Sequence, residues 1–166
     1  MLRVSLQVDG QAQFDRAFSR FSDGIKDLRP LWDKLAQEFY RIEDEQFASE
    51  GAHSGNPWKP LSPKYQAWKE KQIPGPMILE LTNKLKLSLT YKGSSAHVRI
   101  EEPLSISLGS SLPYARYHQT GTRRMPARKP IDLSEEDKRK LGKIIHRGLV
   151  KMSRKVGFET DEGFVE

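Results

Sequence analysis

The sequence predicts an α+β fold in which a small, mainly antiparallel sheet is packed by two or three long helices. Three observations carry this. Leu2, Val4, Leu6 and Val8 alternate with Arg3, Ser5, Gln7 and Asp9, the period of a strand with one buried face. Apolar residues then recur at three- and four-residue steps between Phe14 and Phe47, and again between Leu141 and Met152, as amphipathic helices require. Between them the segment 88–110 becomes strand-like and is punctuated by Gly93 and Pro103.

The elements follow in order. Gly10 closes the opening strand, and Phe14, Ala17, Phe18, Phe21, Ile25 and Leu28 form the stripe of a first helix. Pro30 ends or restarts it, because proline lacks the amide donor and biases Arg29 away from helical angles. A second helix uses Leu31, Leu35, Phe39, Ile42 and Phe47, with Asp33, Glu38, Glu43, Asp44 and Glu45 on an acidic outer side. Residues 51–63 hold three prolines and two glycines and read as a loop, yet they carry Trp58 and Leu61. Ser62 and Pro63 start a short helix with Tyr65, Trp68 and Lys69, and Thr82 is a candidate cap for the turn carrying Leu85 and Leu89. Strands are expected at 97–101 and 105–110, then a short helix from Pro113 ended by Thr120 and Gly121, then extended chain at Met125–Pro130. The last helix starts at Ser134 as N-cap, with Glu135, Glu136 and Asp137 complementing the helix dipole.

Length and composition bound the function. At 166 residues one compact domain is expected over 1–154, followed by an acidic C-terminal tail at 155–166. Apolar residues make up 36% and charged ones 30%, a lean core that favours burial against other subunits. The absence of cysteine rules out disulfides, thiolate metal sites and thiol catalysis, and fits a reducing compartment. No run is long enough to span a bilayer and no signal pattern opens the chain, so cytosolic synthesis without membrane attachment is expected. The net charge of +6 is unevenly spread: residues 1–50 carry −3, residues 51–154 carry +12 and residues 155–166 carry −3. Such asymmetry suits head-to-tail contact between copies, although solvated faces explain it as well.

The stretch YARYHQTGTRRMPARKP, from Tyr114 to Pro130, concentrates aromatics, a histidine, turn residues and cations. It contains no metal-ligand spacing, phosphate-cradling glycine pattern or nucleophile and base pair, so contact with a macromolecule is its expected role. His53, His97, His118 and His146 are scattered, and no catalytic residue, metal ligand or cofactor is assigned. His118 lacks a companion placed to make a triad and reads instead as a turn anchor. Glu101 and Glu102 are neighbours on a strand and point to opposite faces, and Glu135, Glu136 and Asp137 are a helix start. The candidate interface residues are Trp58, Tyr65, Trp68, Tyr114, Tyr117, His118, Gln119, Arg123, Arg124, Arg128 and Lys129. For Trp58, Tyr65 and Trp68 a core role competes with that of an intersubunit anchor. Nucleic-acid binding by the basic 114–130 cluster, with aromatics stacking on bases, is the alternative to protein contact.

Four blocks in sequence order carry a resemblance: GNPWKPLSPKYQAWK, ILELTNKLKLSL, YARYHQTGT and MPARKPIDLSEED. Together, over about residues 40–150, they resemble the bacteriophage virion morphogenesis family, which includes tail completion proteins. The matching positions are Trp58, Pro60, Leu61 and Tyr65; Leu79, Thr82, Leu85 and Ser88; Tyr114, Ala115, His118, Gln119 and Gly121; and Met125, Pro126, Ala127 and Arg128. Asn83 departs from the glycine that many members carry. The resemblance implies a non-enzymatic virion protein at the head–tail junction, a tail completion, neck or tail terminator protein assembled in the host cytoplasm. It implies a homo-oligomeric ring, a hexamer by the sixfold symmetry of such tails. Its implied partners are the tail tube or sheath and the head-tail connector proteins, with genomic DNA passing through unread. A ring that passes DNA should keep acid near its lumen, so the acidic helices or tail are expected there and the basic 114–130 hook on a neighbouring subunit or the tail tube.

Overall fold

The computed structural model describes residues 11–75 and 77–157. The opening strand expected at 2–8 and most of the acidic tail lie outside them. The described elements are α1 (Gln11–Ile25), α2 (Arg29–Ala48), a 3₁₀ turn (Ala52–Ser54), α3 (Pro63–Glu70), α4 (Lys84–Thr90), β1 (His97–Glu101), β2 (Ile106–Ser110), α5 (Ala115–Thr120) and α6 (Glu135–Lys155). The class is α+β, as predicted.

Helix α2 is the axis of the molecule. Pro30 restarts the helix: it occupies the first turn, where its missing amide removes no intrahelical bond. The helix is packed on two sides, by α4 and by α6. Trp32, Ala36, Phe39, Ile42 and Phe47 are all buried, while Leu31 and Leu35 are half-buried. Burial also takes in Glu43 and Gln46, which corrects the expectation that Glu43 belongs to a solvated acidic side. Both residues are in phase with the apolar stripe, since 39, 43 and 46 fall on one helical face.

β1 and β2 form an antiparallel hairpin in which His97 faces Ser110 and Glu101 faces Ile106. The hairpin is tied to the helices by polar contacts. Trp32 Nε1 donates to the Glu102 carbonyl at 2.8 Å, Tyr40 Oη meets His97 Nε2 at 2.9 Å, and Ser88 Oγ meets Ser110 Oγ at 2.7 Å.

The core at the C-terminal end of α2 consists of Phe47, Trp58, Ile78, Leu85 and Leu89, with Leu61, Leu79, Leu112, Ala115 and Ile131 packed around it. Trp58 meets Phe47 edge-on with ring centroids 5.4 Å apart, a favourable aromatic arrangement. The loop reaches this position because Gly51 takes φ 90°, and a Cβ there would sit 2.5 Å from the Trp58 ring. One expected cap is replaced. Asn83, not Thr82, precedes α4, at φ 55° and without a side-chain cap bond. Asparagine is the non-glycine residue best suited to the left-handed region, which explains how it stands where many members of the resembling family carry glycine. Ser134 caps α6 as expected, in a capping box with Asp137.

Candidate functional site

The segment from Tyr114 to Pro130 is a hairpin pinned to the core. Helix α5 ends at Gly121, whose φ 76° and ψ 177° lie in a region open essentially to glycine. A Cβ there would come within 2.8 Å of the Ala127 nitrogen. The chain then reverses in four residues. Thr122 and Met125 exchange backbone hydrogen bonds of 2.8 and 3.3 Å, and Thr122 Oγ1 accepts from the amides of Arg124 and Met125. Arg123 and Arg124 are thus the central pair of a tight turn, and both are exposed. Among the described residues no carboxylate forms an ion pair with either.

The returning limb is clamped from three directions. The Arg128 amide donates to the His118 carbonyl at 2.8 Å, and its guanidinium donates to the carbonyls of Lys59 and Pro60 at 2.6 and 2.8 Å. Gln119 bonds the Ile131 backbone both ways, donating to its carbonyl at 2.7 Å and accepting from its amide at 3.3 Å. Trp58 Nε1 and Gln46 Nε2 both donate to the Lys129 carbonyl, at 2.9 and 3.3 Å.

The predicted interface residues therefore divide. Trp58 and Arg128 are 7% exposed, and with Gln119 they spend their polar groups inside the chain. Arg123, Arg124 and Lys129 remain at the surface. Tyr114 and Tyr117 stay about two-fifths exposed; Tyr114 lies edge-on to His118 at 6.0 Å, and the Arg116 guanidinium stands 4.7 Å above the Tyr117 ring. Tyr65 and Trp68 form an exposed stack at 5.4 Å on α3. His118 is half-buried; burial, then the neighbouring Arg128 cation, hold its pKa below the usual imidazole value, so the ring is neutral at physiological pH. Its Nδ1 is buried without a hydrogen-bond partner, so it lacks the orienting carboxylate that a triad base requires. Among the described residues no group of three His, Cys, Asp or Glu is placed to hold a metal ion.

A polar layer missed at the sequence level supports the hairpin from beneath. Ser54 Oγ and Asn56 Nδ2 donate to Asp132 Oδ2 at 3.3 and 3.1 Å, and His53 Nε2 lies 3.0 Å from Asp137 Oδ2. Burial pushes the Asp137 pKa up, but hydrogen bonds from Ser134 and His53 outweigh it and leave the carboxyl below its usual value. Glu43 is fully buried with neither carboxylate oxygen hydrogen-bonded; burial first, then the charges of Asp137 and Asp132, raise its pKa to about 8. The signal available in the sequence was phase: Glu43 and Gln46 are polar residues on a buried helical stripe.

A family model described as the phage virion morphogenesis family matches residues 9–150, a span that contains α2, the clamp and the arginine turn. The chain belongs to this family. No curated protein and no solved structure matches it. Membership makes the chain a phage virion structural or assembly protein, whose partners are other virion components. Among the described residues no helix is long and apolar enough to cross a membrane. The geometry separates two groups: Trp58, Gln119 and Arg128, from the family motifs, build the hairpin, and Arg123 and Arg124, which lie between two of the motifs, are what it displays.

Proposed function

We propose that the chain is a tail completion protein acting at the head–tail junction, assembling as a homo-oligomeric ring and gripping an adjoining subunit or the tail tube with its arginine turn. The observation that carries this reading is the exposed Arg123 and Arg124 pair, without carboxylate partners among the described residues and held on a limb clamped by Arg128, Gln119 and Trp58. Charged groups on a rigid support lose little conformational freedom on docking, so their attraction goes into affinity and register. Tyr114, Tyr117 and Lys129 flank the turn, and amphipathic aromatics beside arginine are the composition of interface hot spots. Tyr65 and Trp68 supply a second exposed aromatic surface of the same kind.

Sixfold symmetry follows from the tails of the phages the chain resembles, and a ring around translocating DNA favours acid near its lumen. The acidic side of α2 takes that position in this reading, with the hook turned outward. No chemistry is assigned to the site.

The test is a phage carrying Arg123→Glu with Arg124→Glu. Separately stable heads and tails that fail to join are expected, and normal infectious particles would overturn the reading. Steep salt-dependent retention of the purified chain on duplex DNA, abolished in the same variant, would reassign the turn to phosphate binding.

A further inference from the structure

Beside the clamp lies an open groove of about 420 Å³, lined by Leu61, Tyr65, Leu79, Leu81, Tyr114 and His118, and by the cations Lys69, Lys84 and Arg128. Among the described residues no carboxylate lines it, and Lys84 is its exposed cation, since Lys69 and Arg128 are buried and bonded to the carbonyls of Met77, Lys59 and Pro60. Leu81, Tyr65 and Tyr114 are each about two-fifths exposed around it. A concavity of this size suits a few large side chains of an extended segment rather than a folded element. The occupant that fits is therefore short, apolar in places and acidic.

The sequence supplies such a segment. Residues 158–166, FETDEGFVE, carry Phe158, Phe164 and Val165 among Glu159, Asp161, Glu162 and Glu166, with no base. They lie outside the described residues. We propose that this segment of one copy seats in the groove of the neighbouring copy, its phenylalanines on the apolar lining and its acids toward Lys84.

Within the same chain the backbone of the segment falls short of the groove. Helix α6 runs antiparallel to α2: its start at Asp137 lies by Glu43, and Gly148 lies against Leu31, where a Cβ would be 2.5 Å from that side chain. The groove lies at the other end of α2, around Leu61, Leu79 and Leu85, which belong to the Phe47 core cluster. From Leu31 to Phe47 the helix rises about 24 Å, and the run from Gly148 to Lys155 carries α6 about 10 Å further away. Phe164 lies nine residues beyond Lys155 and reaches at most about 30–32 Å even fully extended, short of its own groove. A groove on the next subunit is not bound by that limit.

This inference rests on the proposed self-assembly and names one contact that would make it head-to-tail. The experiment uses the full chain, below the concentration at which it self-associates, and a fluorescent peptide FETDEGFVE read by anisotropy. Saturable binding is expected, weakened at least tenfold by Lys84→Glu and by Leu81→Glu. Lys84 is exposed at the first position of α4, where an acid complements the helix dipole, so Lys84→Glu leaves folding intact. In parallel, full-length Phe164→Ser should stay smaller by light scattering at concentrations where the wild type assembles. No saturable binding, equal binding by both groove variants, or unchanged assembly of Phe164→Ser would overturn the proposal. Failure of the groove interaction alone leaves the arginine hook standing, because the Arg123→Glu, Arg124→Glu phage reads head–tail joining independently.

Discussion

Arg128 bonds with its guanidinium to two consecutive backbone carbonyls, those of Lys59 at 2.6 Å and Pro60 at 2.8 Å. A residue that by composition belongs to a cationic cluster is thereby a fastener between two loops sixty-eight residues apart. Burial lowers its pKa, the cost of holding a cation away from water, and the two carbonyls offset that cost.

Removing the fastener should unfold, not merely discharge. Arg128→Ala is expected to lower stability by about 2–4 kcal/mol, since two carbonyls and a cavity are left behind. Arg128→Lys should recover only part of the loss, because a single ammonium cannot reproduce the planar fork. Urea denaturation checks both, and an Arg128→Ala midpoint equal to wild type would remove the clamp from the account.

The arginine turn should behave in the opposite way. Arg123→Glu and Arg124→Glu alter exposed side chains that have no ion partners among the described residues, so each should change stability by no more than ~0.5 kcal/mol. Thermal scans of the purified variants, set beside their joining defect, distinguish weakened docking from a damaged fold.

Gly121→Ala should be severe for so small a change. Its φ of 76° with ψ 177° is strained for any side chain, and the added carbon meets the Ala127 nitrogen at 2.8 Å. A loss of roughly 2 kcal/mol or more is expected. Amide exchange should quicken first at Arg128 and Ile131, whose bonds to His118 and Gln119 depend on that reversal.

Glu43 makes stability depend on pH. Its carboxyl titrates near 4.5 when exposed and at about 8 in the folded chain. Below the lower value both states hold the proton, and the folded chain keeps its full stability. As pH rises toward 8 the unfolded state ionises first, and stability falls, by up to the order of 4 kcal/mol at about 1.4 kcal/mol per unit. Glu43→Gln should flatten this decline and be the more stable protein at pH 8. Chemical denaturation at pH 5 and pH 8 decides it; parallel declines in both proteins would show that another group is responsible.

Much of the framework was legible because it is local. The caps at Ser62 and Ser134, the break at Pro30, the hairpin around Pro103 and the helix stripes follow from short-range rules that need no tertiary information. Asn83 was legible only as a departure; its backbone angle explains the substitution.

Periodicity, punctuation and motif order are properties of neighbouring residues, and they were enough to set the α+β class, the order of the described elements, the end of α5 at Gly121 and the family. Which residues of this region face inward was settled only by the packed chain. Arg128 and Arg124 are four positions apart and carry the same charge, yet one is buried beneath the 58–62 loop and the other crowns the turn. Trp58 and Trp68 divide likewise between core and surface. Burial depends on which distant segment arrives to cover a side chain, here carbonyls from across the fold, and composition holds no record of that arrival.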